Sequence, residues 1–298
     1  MEAGAAAAPQ ATTARRTKTK TIKPDQARTP WWMWIAVAAI VVFCLFPFYW
    51  LINISLKTGG DLGGSALFPP HPTLDNYQAI FKNPDFTKSL RNSAAVALLT
   101  TFFSIMVGAF CAYALARLRI AGKSIMLAIV LTISTFPQIA IAAPLFKLWS
   151  DIGLFNTWTG LVLPYLTFAL PLTIYILVSF FKEIPRDLEE AALVDGATHF
   201  QAFRKVVVPL AAPGLATAAI LTFIGAWNEF LLAVTLTSSS KARTVPAAIA
   251  FFTGATEHEV PFGSISAASV VISIPLIIMV LLFQKRIVAG LTAGAVKG

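Results

Sequence analysis

Six long apolar runs dominate this sequence of 298 residues. Each run has about the 20 residues that a helix needs to cross a hydrocarbon layer about 30 Å thick. The runs are Trp32–Ile54, Ser93–Leu115, Ser124–Leu148, Leu161–Phe181, Gly214–Leu236 and Ile265–Phe283. Because unpaired backbone N–H and C=O groups are too costly in hydrocarbon, such runs favour α-helices. The sequence therefore predicts an all-α integral membrane protein with six transmembrane helices.

The composition excludes several other classes of protein. Only 12% of the residues are charged and the mean hydropathy is +0.73, whereas a soluble domain carries about 25% charged residues. Cys44 and Cys111 lie inside apolar runs, and the three histidines, His71, His199 and His258, are isolated. These features argue against a soluble enzyme, a disulfide-rich secreted protein and a metal site. The net charge of +9 comes mostly from residues at the ends of apolar runs, so we expect no nucleic-acid partner.

The distribution of Lys and Arg predicts the orientation in the membrane. Sixteen lie in the first 30 residues, after the second and fourth runs, or at the C-terminus, and seven lie on the opposite side. The side with more positive charge marks the cytoplasm, so both termini are expected to be cytoplasmic. Residues 1–30 are polar and predict a disordered cytoplasmic leader, followed by one six-span domain over residues 31–298.

Prolines interrupt three of the predicted spans. A proline lacks a backbone donor and kinks or breaks a helix, and transporters use discontinuous helices around a pathway. We expect Pro137 and Pro144 to break the third span and Pro164 and Pro171 to break the fourth, and Pro275 lies inside the sixth. For any single proline, an ordinary helix kink is the alternative.

The longest polar stretch on the predicted cytoplasmic side covers residues 182–213 and is here called the EAA loop. It predicts two short helices. Pro185 suits the first position of one helix, and Gly196 suits a left-handed turn after it. Thr198 and Gln201 match a capping box for the second helix, which Pro209 is expected to end.

The EAA loop carries a motif that resembles a known family. Glu190-Ala191-Ala192-Leu193-Val194-Asp195-Gly196-Ala197, followed by Phe203, Val208-Pro209-Leu210 and Pro213, resembles the coupling loop of ABC-importer permeases. The runs Phe68–Tyr77, Tyr113–Arg117, Ile184–Glu190, Trp227–Phe230 and Gly290–Gly298 are similar to the carbohydrate importers of the maltose-permease type. The resemblance implies a type I permease fold and import of a sugar by alternating access. The alanine-rich composition and the tail are compatible with a disaccharide such as trehalose.

The resemblance also implies the partners and the coupling residues. The partners would be a second permease in a heterodimer, a cytoplasmic ATPase dimer and an extracytoplasmic sugar-binding protein, in the inner membrane of a bacterial cell. The loop would dock on the ATPase through Glu190, Ala191, Ala192, Asp195, Gly196, Phe200, Phe203 and Pro209. The outer loop over residues 57–90 could be a landing surface for the binding protein or a loop packed on the bundle, and we expect a mixture of both. We expect Asp75 to cap a short helix there.

ATP and Mg are expected on the partner ATPase, and no cofactor is expected on this chain. Gly122-Lys123-Ser124 resembles the end of a nucleotide-binding P-loop, but the required earlier glycine is replaced by Arg117. The chain is therefore predicted to be a translocation subunit and not an enzyme.

Glu229 is the only carboxylate inside a predicted span, and charge there is costly unless it faces a polar interior. With Trp227 and Asn228 it could line a sugar pathway, or it could be a structural hydrogen-bonding group between helices. Gln138, beside Pro137, is a further pathway residue. The alternative function is an ion-coupled secondary transporter with Glu229 as its ion site.

Overall fold

The computed structural model describes residues 30–252 and 261–293, with side chains as far as Gln284 in the last helix. All the regular elements in these ranges are helices. The predicted leader and residues 294–298 of the predicted tail lie outside the described residues, as does His258.

The first helices are α1 Trp31–Ser55, α2 Asp75–Lys82, α3 Pro84–Arg117, α4 Lys123–Ser134, α5 Gln138–Asp151 and α6 Trp158–Glu183. The others are α7 Arg186–Val194, α8 His199–Ala202, α9 Val208–Leu210, α10 Ala212–Trp227, α11 Leu231–Leu236, α12 Val245–Ile249 and α13 Phe262–Ala293. A 3₁₀ turn covers Gly59–Asp61 and a π-helical segment covers Phe203–Val207.

Within the described ranges, four helices are long and apolar enough to cross a membrane, and these are α1, α3, α6 and α13. The pairs α4–α5 and α8/α9–α10 are bent by 82° and 75°, and the number of spans reaches six if each pair is counted as one. The predicted all-α membrane class is confirmed. The predicted third span is a bent pair instead of a straight helix, and the second bent pair joins the end of the EAA loop to α10.

The starts of the long helices follow from local capping. The side chain of Asn83 accepts a hydrogen bond from the N–H of Asp85 at 2.9 Å, and Pro84 occupies the first position of α3. The hydroxyl of Thr157 accepts from the N–H of Gly160 at 3.0 Å at the start of α6. These contacts satisfy donors that a helix leaves free at its N-terminus.

The prediction that prolines break the third and fourth spans is confirmed at Pro137 and is wrong at Pro144, Pro164 and Pro171. Only Pro137 lies at a helix boundary, directly before α5. The other four, Pro144, Pro164, Pro171 and Pro275, lie inside continuous helices. A proline removes one intrahelical hydrogen bond, and neighbouring helices can hold the two halves in line.

The prediction of a continuous fifth span is also wrong. Helix α10 ends at Trp227 and α11 begins at Leu231, so Glu229 lies in a short non-helical break. Both oxygens of its carboxylate accept backbone N–H groups at the start of α11, from Leu232 at 2.8 Å and Ala233 at 3.1 Å. A carboxylate at a helix N-terminus is favoured by the helix dipole, which explains why a new helix starts here.

The outer loop is held against the helix ends by polar contacts. The Nζ of Lys57, which is only 1% exposed, donates to the carbonyl oxygens of Gly64 at 3.2 Å and Ala66 at 3.1 Å. The amide of Asn76 donates to the carbonyl of Ser55, the last residue of α1, at 3.0 Å and to that of Lys57 at 2.9 Å. Asp75 was predicted to cap α2 but is its first helical residue, because Leu74 occupies the capping position.

The core is formed where α3, α6 and α10 meet. A ladder of three hydroxyls joins these helices, with Ser104 2.8 Å from Thr173 and Thr173 2.9 Å from Thr222. Directly beside the ladder, a Cβ added at Gly108 would lie 2.7 Å from the Cγ2 of Thr173. Helices in a membrane approach closely where small residues meet, and Gly108 allows α3 to contact α6 here.

We expect Gly108→Ala to destabilise the protein by about 1–3 kcal/mol because the new methyl group overpacks this crossing. Thr173 cannot rotate its methyl group away without breaking the hydroxyl ladder. Thermal unfolding in detergent measures the effect. The matched control is Gly225→Ala in α10, where an added Cβ meets open space; an equal loss in both variants would contradict the explanation.

Candidate coupling loop and translocation cavity

The EAA loop folds as two helices separated by a tight turn. Helix α7 carries Asp187 and Glu189 in its first turn and ends at Val194, with Asp195 as its C-terminal capping residue. Pro185 precedes the helix as its capping residue, one position earlier than predicted. Gly196 has a φ of +87°, a left-handed conformation in which glycine is not penalised. The predicted left-handed turn at Gly196 is confirmed.

The predicted capping box of the second helix is also confirmed. The N–H of Gln201 donates to the Thr198 hydroxyl at 3.3 Å, and the N–H of Thr198 donates to the Gln201 side chain at 2.8 Å. The helix then passes through the π-helical segment and continues to Leu210. The prediction that Pro209 ends this helix is wrong, because proline is tolerated in the first turn of the short α9 that follows the π-helical segment.

Phe203 anchors the loop on the transmembrane helices. It is buried, and its ring centroid lies 4.8 Å from that of Tyr113, 5.3 Å from that of Phe110 and 6.3 Å from that of Phe181. Phe200 stacks on Phe110 at 6.4 Å but remains 58% exposed. The predicted coupling residues are therefore divided between an anchored side and an open side.

The open side of the loop has an apolar surface. Val194 is 88% exposed, and the predicted coupling residues Glu190, Ala191, Asp195 and Gly196 are exposed, whereas Ala192 is partly buried. Exposed apolar side chains grouped on a loop of this kind mark a surface that another molecule can cover.

A buried polar network fixes the loop to the end of α3. The Nε of Arg117 lies 3.1 Å from Oε2 of Glu189 in an ion pair that is almost fully buried, and the Tyr113 hydroxyl donates to Oε1 of the same carboxylate. The Nη2 of Arg117 also donates to the carbonyl of Ile184 at 3.0 Å. The sequence placed Glu189 at the positive end of the helix dipole and Arg117 among the cytoplasmic charges, but it did not predict that Tyr113, Arg117 and Glu189 contact one another. The spacing of four residues between Tyr113 and Arg117, which places both on one face of α3, is the signal that could have found them.

A cavity of about 170 Å³ lies between α5, α6 and α10. It brings together two of the four predicted pathway residues, Gln138 and Glu229. The other lining residues are Tyr165, Phe168, Ala169, Leu172, Leu221, Thr222, Gly225 and Ala226. The cavity thus combines an aromatic ring and apolar walls with an amide, a carboxylate and hydroxyl groups, as small-molecule sites do.

The other two predicted pathway residues do not line this cavity. Trp227 is buried, stacks on Phe223 at 5.6 Å, and donates from Nε1 to the carbonyl of Ile272 at 3.3 Å. Asn228 is exposed in the break after α10. The side chains of consecutive residues at the end of a helix point in different directions. Trp227, Asn228 and Glu229 therefore cannot all face one cavity.

Among the described residues, no group of three His, Cys, Asp or Glu side chains could hold a metal ion.

The bent helices, the EAA loop and the cavity together define a multi-pass membrane permease. The family described as "Binding-protein-dependent transport system inner membrane component" matches residues 104–292. The chain belongs to this family.

Two relatives match nearly the whole chain. The trehalose transport system permease protein SugB of Mycobacterium tuberculosis is 53% identical over 266 residues, which are 89% of this chain and 97% of the relative. The trehalose/maltose transport system permease protein MalG of Thermococcus litoralis is 42% identical over 89% of this chain and 95% of the relative. A crystal structure of a bacterial ABC transporter involved in the import of the acidic polysaccharide alginate shares the fold, with a TM-score of 0.73, 24% identity and coverage of 88% of this chain and 99% of that chain.

The chain is therefore a permease subunit of an ABC importer and a translocation component. ATP hydrolysis belongs to a partner ATPase subunit, as in the systems to which its relatives belong.

If Gln138 binds a sugar in the cavity, as its lining position suggests, Gln138→Ala should lower sugar uptake about tenfold without lowering the unfolding temperature, because hydrogen bonds to the sugar would be lost. Glu229→Ala should lower both uptake and stability, since capping contacts contribute about 1 kcal/mol. Uptake and thermal unfolding measure the two effects. Gln284→Ala, an exposed glutamine in α13, is the control. Wild-type uptake by Gln138→Ala would contradict the assignment of Gln138 to the sugar pathway.

Proposed function

We propose that this chain imports a disaccharide, with trehalose as the first candidate. The observation that carries the proposal is the 53% identity over nearly full length to a trehalose transport system permease, together with the 42% identity to a trehalose/maltose permease. The lining of the cavity supports it, since the ring of Phe168 and the polar groups of Gln138, Thr222 and Glu229 suit the apolar faces and hydroxyl groups of a sugar.

Transport proceeds by alternating access. Closure of the ATPase dimer on ATP would move the EAA loop and open the pathway away from the cytoplasm. A ligand shifts such an equilibrium only through its different affinity for the two states. ATP on the ATPase and the sugar-loaded binding protein would therefore both favour the outward-open state.

The partners that we propose are a second permease forming a heterodimer, an ATPase dimer and an extracytoplasmic sugar-binding protein. ATP and Mg would be bound by the ATPase, and this chain would bind no cofactor. The open side of the EAA loop, with Val194 and Phe200, supports the ATPase contact. In the outer loop, Phe68 is 75% exposed and supports a contact with the binding protein.

The positive-inside distribution supports an orientation with both termini in the cytoplasm of a bacterial cell. This orientation puts the EAA loop on the side where ATP is available and the outer loop on the side where a binding protein delivers sugar.

The ion-coupled alternative is not favoured. Both carboxylate oxygens of Glu229 accept helix N–H groups, and an ion or proton bound there would compete with these contacts.

The first experiment is to purify the chain from its native membranes through an N-terminal tag and to identify the proteins that accompany it. We expect a second permease, an ATPase and a binding protein. Vesicles containing the complex should take up labelled trehalose only with ATP and should be insensitive to collapse of the membrane potential. Uptake by this chain alone without ATP would overturn the proposal and favour the ion-coupled alternative.

We expect Gly196→Val to reduce uptake, because a residue with a Cβ in the left-handed region costs about 1–2 kcal/mol and distorts the turn of the EAA loop. Gly196→Asn is the matched control, since asparagine tolerates this region far better and open space surrounds the residue. Uptake and ATP hydrolysis are measured on equal amounts of assembled complex. Equal behaviour of the two variants would show that the left-handed turn does not matter for coupling.

A further inference from the structure

The carboxylate that holds the EAA loop against the transmembrane helices is Glu189 and not its neighbour Glu190. Glu189 is 8% exposed, whereas Glu190 faces outward. Both oxygens of Glu189 are used, one by the Tyr113 hydroxyl and the other by the Arg117 guanidinium. A buried charge in a loop is unfavourable unless it is paired and hydrogen-bonded in this way.

The contacts reach the loop from a helix that does not continue into it. Helix α6 leads into α7 through Ile184 and Pro185, and α9 leads into α10 through Ala211. Helix α3, by contrast, is far from the loop in sequence and meets it through side chains. Its 34 residues run from the outer loop to Arg117, about 50 Å at 1.5 Å per residue.

Two further contacts strengthen this junction. Arg117 donates to the carbonyl of Ile184 at 3.0 Å, and Arg186 donates back to the carbonyl of Ala116 at 3.5 Å. The helix dipoles also stabilise both charges. The positive charge of Arg117 lies in the last turn of α3, and the negative charge of Glu189 lies in the first turn of α7. The junction is therefore a directed polar link within an otherwise apolar interface.

We propose that Tyr113, Arg117 and Glu189 form a positioning link that transmits the displacement of the EAA loop to α3 during transport. The link rests on the proposed function, since it acts only if an ATPase moves the loop. Without the link, a displacement of the EAA loop would still move α6 and α10, because both helices are covalently continuous with it. Helix α3 would no longer move together with the loop. ATP hydrolysis and sugar movement would then lose their fixed ratio.

The test compares Glu189→Gln, Arg117→Gln and the double variant that carries both changes, in vesicles containing the whole importer. The readout is labelled trehalose taken up per ATP hydrolysed, on equal amounts of assembled complex. Each single change leaves the other charge buried and unpaired, and we expect a loss of about tenfold in this ratio. The double variant leaves no unpaired charge and should do no worse than either single variant.

Tyr113→Phe is a milder variant that removes only the hydroxyl and keeps the ring against Phe203. A loss of about threefold in the ratio is expected, because one hydrogen bond to a charged group is removed. Arg119→Gln and Glu183→Gln are matched controls at exposed positions beside the network and should match the wild type. If a single charge variant fails to assemble, Tyr113→Phe and the neutral double variant decide the question.

Three results would overturn the link. One is a wild-type ratio in Glu189→Gln and Tyr113→Phe. Another is a double variant whose loss equals the product of the two single losses, which would mean that the residues act independently. The third is a lower amount of assembled complex at an unchanged ratio, which would reduce the network to a stabilising role.

Trehalose uptake by the wild-type importer distinguishes a failure of the proposed positioning link from a failure of the proposed function. If it does not take up trehalose, the proposed sugar is wrong, and the link is then judged by how strongly the binding protein stimulates ATP hydrolysis in each variant. If it takes up trehalose and all variants match it, the link alone is wrong.

Discussion

The architecture depends on one constraint, which is that backbone N–H and C=O groups must be paired inside a hydrocarbon layer. Long helices satisfy it, and every break in a helix needs its own solution. At the break over residues 228–230, the Glu229 carboxylate accepts hydrogen bonds from N–H groups of α11 that would otherwise be unpaired. The left-handed turn at Gly196 lies in a polar loop, where strict pairing is not required. The breaks are thus the places where this chain departs from a simple bundle, and they coincide with the cavity and the EAA loop.

The interior of the bundle is held by small residues and hydroxyl groups. Apolar side chains gain little by leaving lipid for protein, so close approach and hydrogen bonds determine which helices associate. The ladder of Ser104, Thr173 and Thr222 joins α3, α6 and α10, and Gly108 lets two of them touch. Thr222 also lines the cavity. Two of the helices that form the core, α6 and α10, therefore also line the candidate cavity, together with α5. A movement of α6 relative to α10 would change both the core and the cavity.

Much of the fold was predictable because its signals are local. Apolar length predicted the membrane class, and the spacing of Thr198 and Gln201 predicted a capping box that the structure confirms. The predicted break at Pro137 is present, whereas Pro164 and Pro171 lie within α6. A proline destabilises a helix locally, but whether the helix breaks depends on the neighbours that support it, and these are not visible in the sequence.

The sequence by itself determined the all-helical membrane class, the family motif and the turn of the EAA loop, because each depends on residues within a few positions of one another. Only the tertiary structure decided that Glu189 is buried and Glu190 exposed, since the partner Arg117 comes from a helix 72 positions away in the chain. It also decided that Gln138 and Glu229 share a cavity while Trp227 packs in the core. Such choices arise from helix packing, and no periodicity within a single segment encodes them.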